Sequence, residues 1–535
     1  MSRCWFLILF LPLFSPARAA DAPAAQWVVV TAPAFRAAVE PLAAHRKSQG
    51  MRVVVVQTTD VLSEKEILAG DARKLRDRVH QTCRAHSGPS YVLLVGAVEP
   101  GKLADAGKRV LPPLEGTVSR MKGQPSDNGY GCLDEGLLPT VPVGRFPART
   151  EDEAKAMVQK TLALERDRRP GEWRRRLTIL AGIPDYNPLV DRMVESTAMA
   201  RFDRIDPTWQ GHALYHNASS RFTVPDDRLR SLAQKYVEEG QAIVLYLGHS
   251  SAEGLWAGGP HFLDRGDWGH LKIARGAGIF VTFGCNGCQL KGPDGEGYGV
   301  AAMRNPNGPA AVLGSHGICF AAMVNLAADG MFENALTGRL PDRLGTAWLA
   351  LKTGLAKGKI DALTYRLLDS VDGDPKIPQA TQRLEHLEMF VLLGDPALRF
   401  PTVATDVKLS ITGPVTAGET LTIRGTVPAR LAGARIRLSV ERPVSSTPTD
   451  LEPVPENPGP ARDKVLLANH VRANRFAVVE AEAMVREGHF EARLKLPARL
   501  PWPRLIVRAY AATNEEEGIG IMPLEVKKTS EPVSP

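Results

Sequence analysis

The chain has 535 residues, 44% hydrophobic and 23% charged, an ordinary globular composition with length for three or more domains. Its 66 basic and 59 acidic residues leave a net charge of +7. The basic residues are dispersed, which reads as solubility and argues against a nucleic-acid-binding stripe.

The first twenty residues stand apart. Arg3 is a short positive start, Trp5 to Phe14 an apolar stretch, and Ala17-Arg18-Ala19 a small-residue cleavage site. This predicts a signal peptide over residues 1–19. No later apolar run reaches the roughly 18 residues of a membrane span, so the reading is a secreted or cell-envelope protein without a transmembrane helix. Five cysteines follow the leader, Cys83, Cys132, Cys285, Cys288 and Cys319. An odd number leaves at least one free thiol, and five in so long a chain do not make a disulfide scaffold.

From Trp27 strand and helix patterns alternate. Val28–Val30, Val53–Val56 and Tyr91–Gly96 read as strands, with helices over Ala34–Arg46 and Ser63–Ala85, a parallel β/α start. The segment 101–134 reads as a long loop region and Val141–Phe146 as a strand. Thr150, with Glu153 three residues on, predicts a capping box opening a helix to about Arg166. After a polar linker, Leu177–Gly182 is a strand, and 189–202 and 226–238 are helical. Two apolar runs follow, Ala242–Leu247 and Ile279–Phe283, and Ala310–Ser315 is one more strand. Helices are then expected over 320–336, 346–356 and 383–393, the last stopped by Gly394-Asp395-Pro396. Beyond Pro401 short alternating runs (407–412, 420–427, 435–441, 490–496, 505–511) predict a β-sandwich, with 442–460 an exposed loop and a possible helix near 476–485.

The chemistry gathers where the two central runs end. Gly248-His249 follows the first and Gly284-Cys285 the second. Buried parallel strands offer such residues to the carboxyl-end edge of the sheet, where open α/β folds bind ligands. A histidine there can act as acid or base for a cysteine nucleophile. Cys285-Asn286-Gly287-Cys288 is also a C-x-x-C, leaving open a dithiol redox reading, a regulatory disulfide, and a zinc site with His249 and His270. His316 follows another strand end as a possible pocket residue. Cys83 and Cys132 read as structural.

Gly248-His249-Ser250-Ser251 with Leu255-Trp256, then Phe283-Gly284-Cys285, resembles the gingipain family of caspase-like cysteine peptidases. Ser126–Tyr130, Val143–Pro147 and Leu393–Leu398 agree with it in order, so the resemblance covers nearly the whole chain after the leader. Caspase-type peptidases likewise place histidine upstream of a strand-end cysteine. The resemblance implies an α/β fold, a caspase-like parallel-sheet catalytic region in two subdomains (20–170 and 171–401), followed by an all-β immunoglobulin-like sandwich (402–530). It implies an endopeptidase acting on polypeptides, with Cys285 as nucleophile, His249 as general acid, and Asp185 orienting the histidine. Backbone N–H groups of Ser250 and Cys285 would form the oxyanion hole. Asp191, Ser315 and Phe320 would contact the substrate. No cofactor is required for the chemistry. Structural Ca²⁺ is possible by resemblance, with Asp294 and Glu296 as loop acids. Ser250 stands where the family usually has glycine, and the pocket tryptophan is absent. These departures keep a second reading open, a non-catalytic exported polypeptide-binding protein with the same fold.

Overall fold

The computed structural model describes residues 23–185, 188–256, 258–292, 294–335, 337, 341–413 and 415–527. The expected signal peptide, residues 1–19, lies outside them. Among the described residues ten strands form one sheet. In chain order they are β1 (Gln26–Thr31), β2 (Arg52–Gln57), β3 (Ser90–Val95), β4 (Val143–Phe146), β5 (Arg176–Gly182), β6 (Gln210–His216), β7 (Gln241–Leu247), β8 (Ala277–Phe283), β9 (Ala311–Ser315) and β10 (Phe390–Leu393). Their spatial order is β2-β1-β3-β4-β10-β9-β8-β7-β5-β6. All neighbours are parallel except β9 and β10, which are antiparallel. The stretches on either side of residue 170 are thus two halves of one sheet, and β10 is the strand that joins them.

The parallel strands are near-continuous apolar runs because both faces are covered. Helices Arg36–Ser48, Glu151–Arg166, Asp226–Glu238 and Tyr298–Arg304 pack on one face. Helices Pro188–Phe202, Ala321–Ala335, Leu344–Lys357 and Gln379–Met389 pack on the other. The expected capping box is present. Thr150 Oγ1 accepts from the Glu153 N–H at 3.2 Å, and the Glu153 carboxylate accepts from the Thr150 N–H at 3.2 Å.

Several expectations change. The helix expected over 63–85 is two helices, Glu64–Ala69 and Arg73–Arg84. Gly70, at φ 76°, ends the first in the left-handed conformation that favours glycine. The helix expected over 383–393 stops at Met389, and Phe390–Leu393 is β10. These four residues are buried, and the gap between β4 and β9 can be filled only by extended chain. Strand β6 and helix Ala362–Asp372 had no clear sequence signal.

Beyond Pro401 two sheets enclose a separate apolar core containing Ile423, Leu438, Leu494 and Val507. One has strands Lys408–Thr412, Thr420–Thr426 and His489–Lys495. The other has Val415–Thr416, Arg435–Glu441, Ala477–Met484, Arg504–Ala512 and Glu517–Lys527. The stretch near 476–485 is therefore strand, and the helix lies just before it, at Pro460–Asn474. That helix guards the open edge of the large sheet. The Asn474 side chain accepts from the Ala213 N–H at 2.7 Å and donates to the Ala213 carbonyl at 2.9 Å, imitating a neighbouring strand on edge strand β6.

Asp395 locks the joining strand in place. It is fully buried. It accepts from Trp27 Nε1 at 3.0 Å, from Arg46 Nε at 3.0 Å and Nη2 at 2.7 Å, and from the Ala397 N–H at 2.9 Å. Arg46 also reaches Glu165 at 2.8 Å. Burial alone would raise the Glu165 pKa, but Arg46 and hydrogen bonds from the Arg399 N–H and His45 hold it at about 2.

Two outcomes follow from this cluster. Asp395→Ala, which strands a buried guanidinium, should cost about 3–5 kcal/mol in denaturant unfolding. Glu165 is depressed in the folded state, so its stabilisation is complete above the ordinary value of 4.5 and is lost as pH falls toward about 2. That contribution, on the order of 3 kcal/mol, should vanish from the acid-unfolding profile of Glu165→Gln. An unchanged acid slope would rule it out.

Candidate active site

β7 and β8 are adjacent and parallel, with Leu247 opposite Phe283. Two residues beyond each partner come His249 and Cys285. Their spacing of 36 residues in the sequence equals the register offset of the two strands, so both leave the same edge of the sheet at the same level.

The seam between the strand ends is shaped by glycine. A Cβ on Gly284 would lie 2.3 Å from Ser250 Oγ and 2.9 Å from the Gly248 carbonyl oxygen. Gly248 itself has φ 144°. The Ser250 hydroxyl fills the close approach, donating to the Cys285 carbonyl at 2.7 Å. Behind it, Tyr298 Oη lies 3.4 Å from Ser250 Oγ and 2.6 Å from Thr282 Oγ1. The His249 loop turns into a hairpin in which the Trp256 N–H donates to the His249 carbonyl at 2.9 Å. Tyr246 Oη donates to the same carbonyl and, at 2.7 Å, to that of Trp256.

His249 is exposed, with Nε2 2.8 Å from the Pro184 carbonyl oxygen. Asp185 is the next residue, exposed and held at φ 57°. The loop after β5 therefore meets the histidine through its backbone at Pro184. Cys285 is half-buried, its Sγ 3.9 Å from the Cys319 carbonyl oxygen. Burial raises the thiol pKa above the ordinary value. A backbone hydrogen bond at Cys319 and the Arg120 guanidinium oppose that rise, and the Asp372 carboxylate adds to it.

The remaining sequence candidates fall into distinct places. Ser315 is fully buried, and its hydroxyl donates to the Gly317 carbonyl at 2.5 Å and accepts from the Gly317 N–H at 3.0 Å. It shapes the loop of Ile318 and Cys319 instead of presenting its hydroxyl to a ligand. Phe320 is buried too. Its N–H donates to His386 Nε2 at 3.1 Å and its ring lies under Arg120. Asp191 is buried at the start of helix Pro188–Phe202, close enough to Tyr215 to help raise that phenol to about 12, chiefly a burial effect. His316 is buried and accepts from the Leu290 N–H through Nδ1 at 3.0 Å, and burial lowers its pKa to about 4. It is a structural residue.

Cys288 separates from Cys285. It is fully buried among Trp268, Phe280, Tyr298 and Val312, whereas Cys285 packs with Phe283 and Cys319 against the opposite face of the sheet. Both thiols are free. A 285–288 disulfide would require rebuilding the turn, whose Cys288 N–H donates to the Ser315 carbonyl at 2.8 Å. Among the described residues no three His, Cys, Asp or Glu side chains are grouped to hold a metal. Of the two loop acids, Asp294 and Glu296, the second has its carboxylate held by arginine. Arg265 Nη1 takes their carbonyls at 3.2 and 2.9 Å, and Arg304 and Arg149 take the Glu296 carboxylate at 2.8 and 3.0 Å.

Sequence reading missed Arg120, Asp372 and His386, which come from three distant segments. Two large apolar side chains also stand exposed at the site, Trp256 at 47% and Ile318 at 57%. Ile318 follows Gly317, whose carbonyl accepts from the Asn286 N–H at 3.0 Å, next to the cysteine.

The fold is that of known peptidases. Over 95% of this chain and 99% of the other, it superimposes on the Arg-specific cysteine proteinase gingipain R (RgpB) with a TM-score of 0.52 at 15% identity. The pro- and mature-domain complex of Porphyromonas gingivalis RgpB gives 0.52 at 16% identity, covering 94% of this chain and 100% of that one. A further structure titled only as a protease gives 0.50 at 13% identity, over 94% and 97%. No curated protein sequence matches the chain. The profile of peptidase family C25 matches residues 20–401. That span includes the ten-stranded sheet and both strand ends of the site, and the chain belongs to peptidase family C25.

Proposed function

We propose that this protein is an exported cysteine endopeptidase using Cys285 and His249. One observation carries the reading: in a C25 fold, His249 and Cys285 stand at matched register just past the ends of adjacent parallel strands. Burial favours the thiol form of Cys285, with its proton on sulfur. Attack on a peptide carbonyl then transfers that proton to His249 as the S–C bond forms. His249 returns it to the departing amine, and water hydrolyses the thioester. Backbone N–H groups of Ser250 and Cys285 serve the oxyanion. Asp185, beside the carbonyl that His249 meets, is the proposed orienting acid. The leader supports export, and the two-sheet unit after Pro401 supports an immunoglobulin-like companion domain. Polypeptides are the substrates under this reading.

Cys285→Ala should abolish both peptide hydrolysis and iodoacetamide labelling at this site with an unchanged melting temperature. Retained turnover would reject the assignment. His249→Ala should lower kcat about 10²–10⁴-fold while leaving Cys285 open to alkylation. Because burial raises the thiol, the iodoacetamide rate at Cys285 should keep climbing with pH past the ordinary thiol value of 9.0. A plateau reached below about pH 8 would contradict this account.

A further inference from the structure

Arg120 comes from the long loop of the N-terminal half, yet its charge is felt by the nucleophile of the other half. Two buried carboxylates on helix Gln379–Met389 hold that loop. Glu388 accepts from the Thr117 N–H and hydroxyl at 2.9 Å and from the Val118 N–H at 3.0 Å. Glu385, fully buried, takes Arg120 Nε at 3.0 Å and also Nη2. The guanidinium carbon then lies over the Phe320 ring, 4.0 Å from its centre. Phe320 directly follows Cys319, the residue in contact with Cys285 Sγ. With Nε and Nη2 committed to Glu385, Nη1 has no partner among the described residues, and the side chain is 30% exposed. The other charge near the thiol, Asp372, is engaged differently. Both its oxygens accept from the Ala321 N–H, at 3.1 and 2.8 Å, at the start of helix Ala321–Ala335.

We propose that Arg120 is a specificity residue, and that its outward Nη1 selects a substrate carboxylate, the side chain of an aspartate or glutamate next to the scissile bond. This rests on the peptidase reading of Cys285. The geometry suits the task. A guanidinium fixed by a buried partner and an aromatic face loses little freedom when it binds a second carboxylate, and charge-assisted hydrogen bonds are the stronger kind. The neighbouring Trp256 and Ile318 provide apolar contact for flanking residues of the chain.

The test uses the full-length protein and two alkylating reagents of nearly equal size, iodoacetate and iodoacetamide, with modification at Cys285 followed by peptide mapping. Arg120→Gln alone would leave Glu385 buried without its partner, so the double variant Arg120→Gln/Glu385→Gln replaces the ion pair with two amides. The anion-to-neutral rate ratio, in which any change in the thiol's own reactivity cancels, should fall about tenfold in the double variant. A ratio unaffected by the variant overturns the proposal. In parallel, peptides with blocked termini carrying Asp or Glu on the acyl side of the bond are compared with Arg or Lys. Preferred cleavage after the acids, lost in the variant, supports the proposal. Cleavage after Arg or Lys overturns it and leaves the peptidase reading standing. A variant-sensitive alkylation ratio with no peptide cut supports anion selection by Arg120 and removes the peptidase reading.

Discussion

The carboxylate of Asp395 is the contact on which the architecture turns. It sits in the turn after β10, the strand that is parallel to β4 on one side and antiparallel to β9 on the other. It binds the first strand through Trp27 and the first helix through Arg46, more than 340 residues earlier in the chain. A buried charge with fewer partners would be a liability. Here two nitrogens of Arg46, an indole N–H and a backbone N–H share it. Around it the backbone approaches closely. A Cβ on Gly144 would lie 2.2 Å from the Gly394 carbonyl oxygen, and one on Gly394 2.6 Å from the Ala311 Cβ. The Gly-Asp-Pro turn thus requires its glycine for space and its aspartate for charge. Through β10 the turn sets the position of β9, and β9 flanks the strand that ends at Cys285.

The site repeats this economy on a smaller scale. Glycine permits the approach of the two strand ends, and a hydroxyl then bridges them. Ser250, where the family usually carries glycine, is not an idle substitution in this chain. Its oxygen holds the Cys285 carbonyl and is backed by Tyr298 and Thr282. The bridge fixes the peptide unit that follows Cys285 against the strand end that carries His249. Cys288 serves the same seam from beneath. A Cβ at Gly299 or Gly314 would lie 3.0 or 2.9 Å from its sulfur, so the thiol is the packing atom between two backbones.

Much of this was legible in the sequence, for local reasons. The central strands announce themselves as β-branched and aromatic runs, and the equality of the His249–Cys285 spacing with the strand offset is a consequence of that pattern. The capping box at Thr150 needs only four residues to be read. Strand β10 was missed because a four-residue apolar run after a helix has no periodicity of its own, and only the slot between β4 and β9 makes it extended. The helix Pro460–Asn474 was missed behind a proline-rich loop, and its role depends on an edge strand about 250 residues away. Arg120, Glu385 and Asp372 had no signal at all. Their meaning lies in contacts across some 265 residues, for which neither propensity nor spacing carries information.

Those long-range charges explain why the two halves form one sheet. A Cys–His couple on β7 and β8 needs only the second half of the chain. The charges that act on the thiol come from distant segments: Arg120, held by Glu385, from the first half, and Asp372 from the end of helix Ala362–Asp372. Arg120 favours the thiolate, whereas Asp372 and burial favour the thiol, so protonation at Cys285 reflects a balance struck between distant segments. Such a balance holds only if those segments keep a fixed distance from one another. The closure at Asp395 provides that constraint, since it ties the start of the chain to the strand directly after the helix that carries Glu385 and Glu388. The structural cluster and the chemical cluster are therefore two ends of one mechanical link, helix Gln379–Met389 followed by β10.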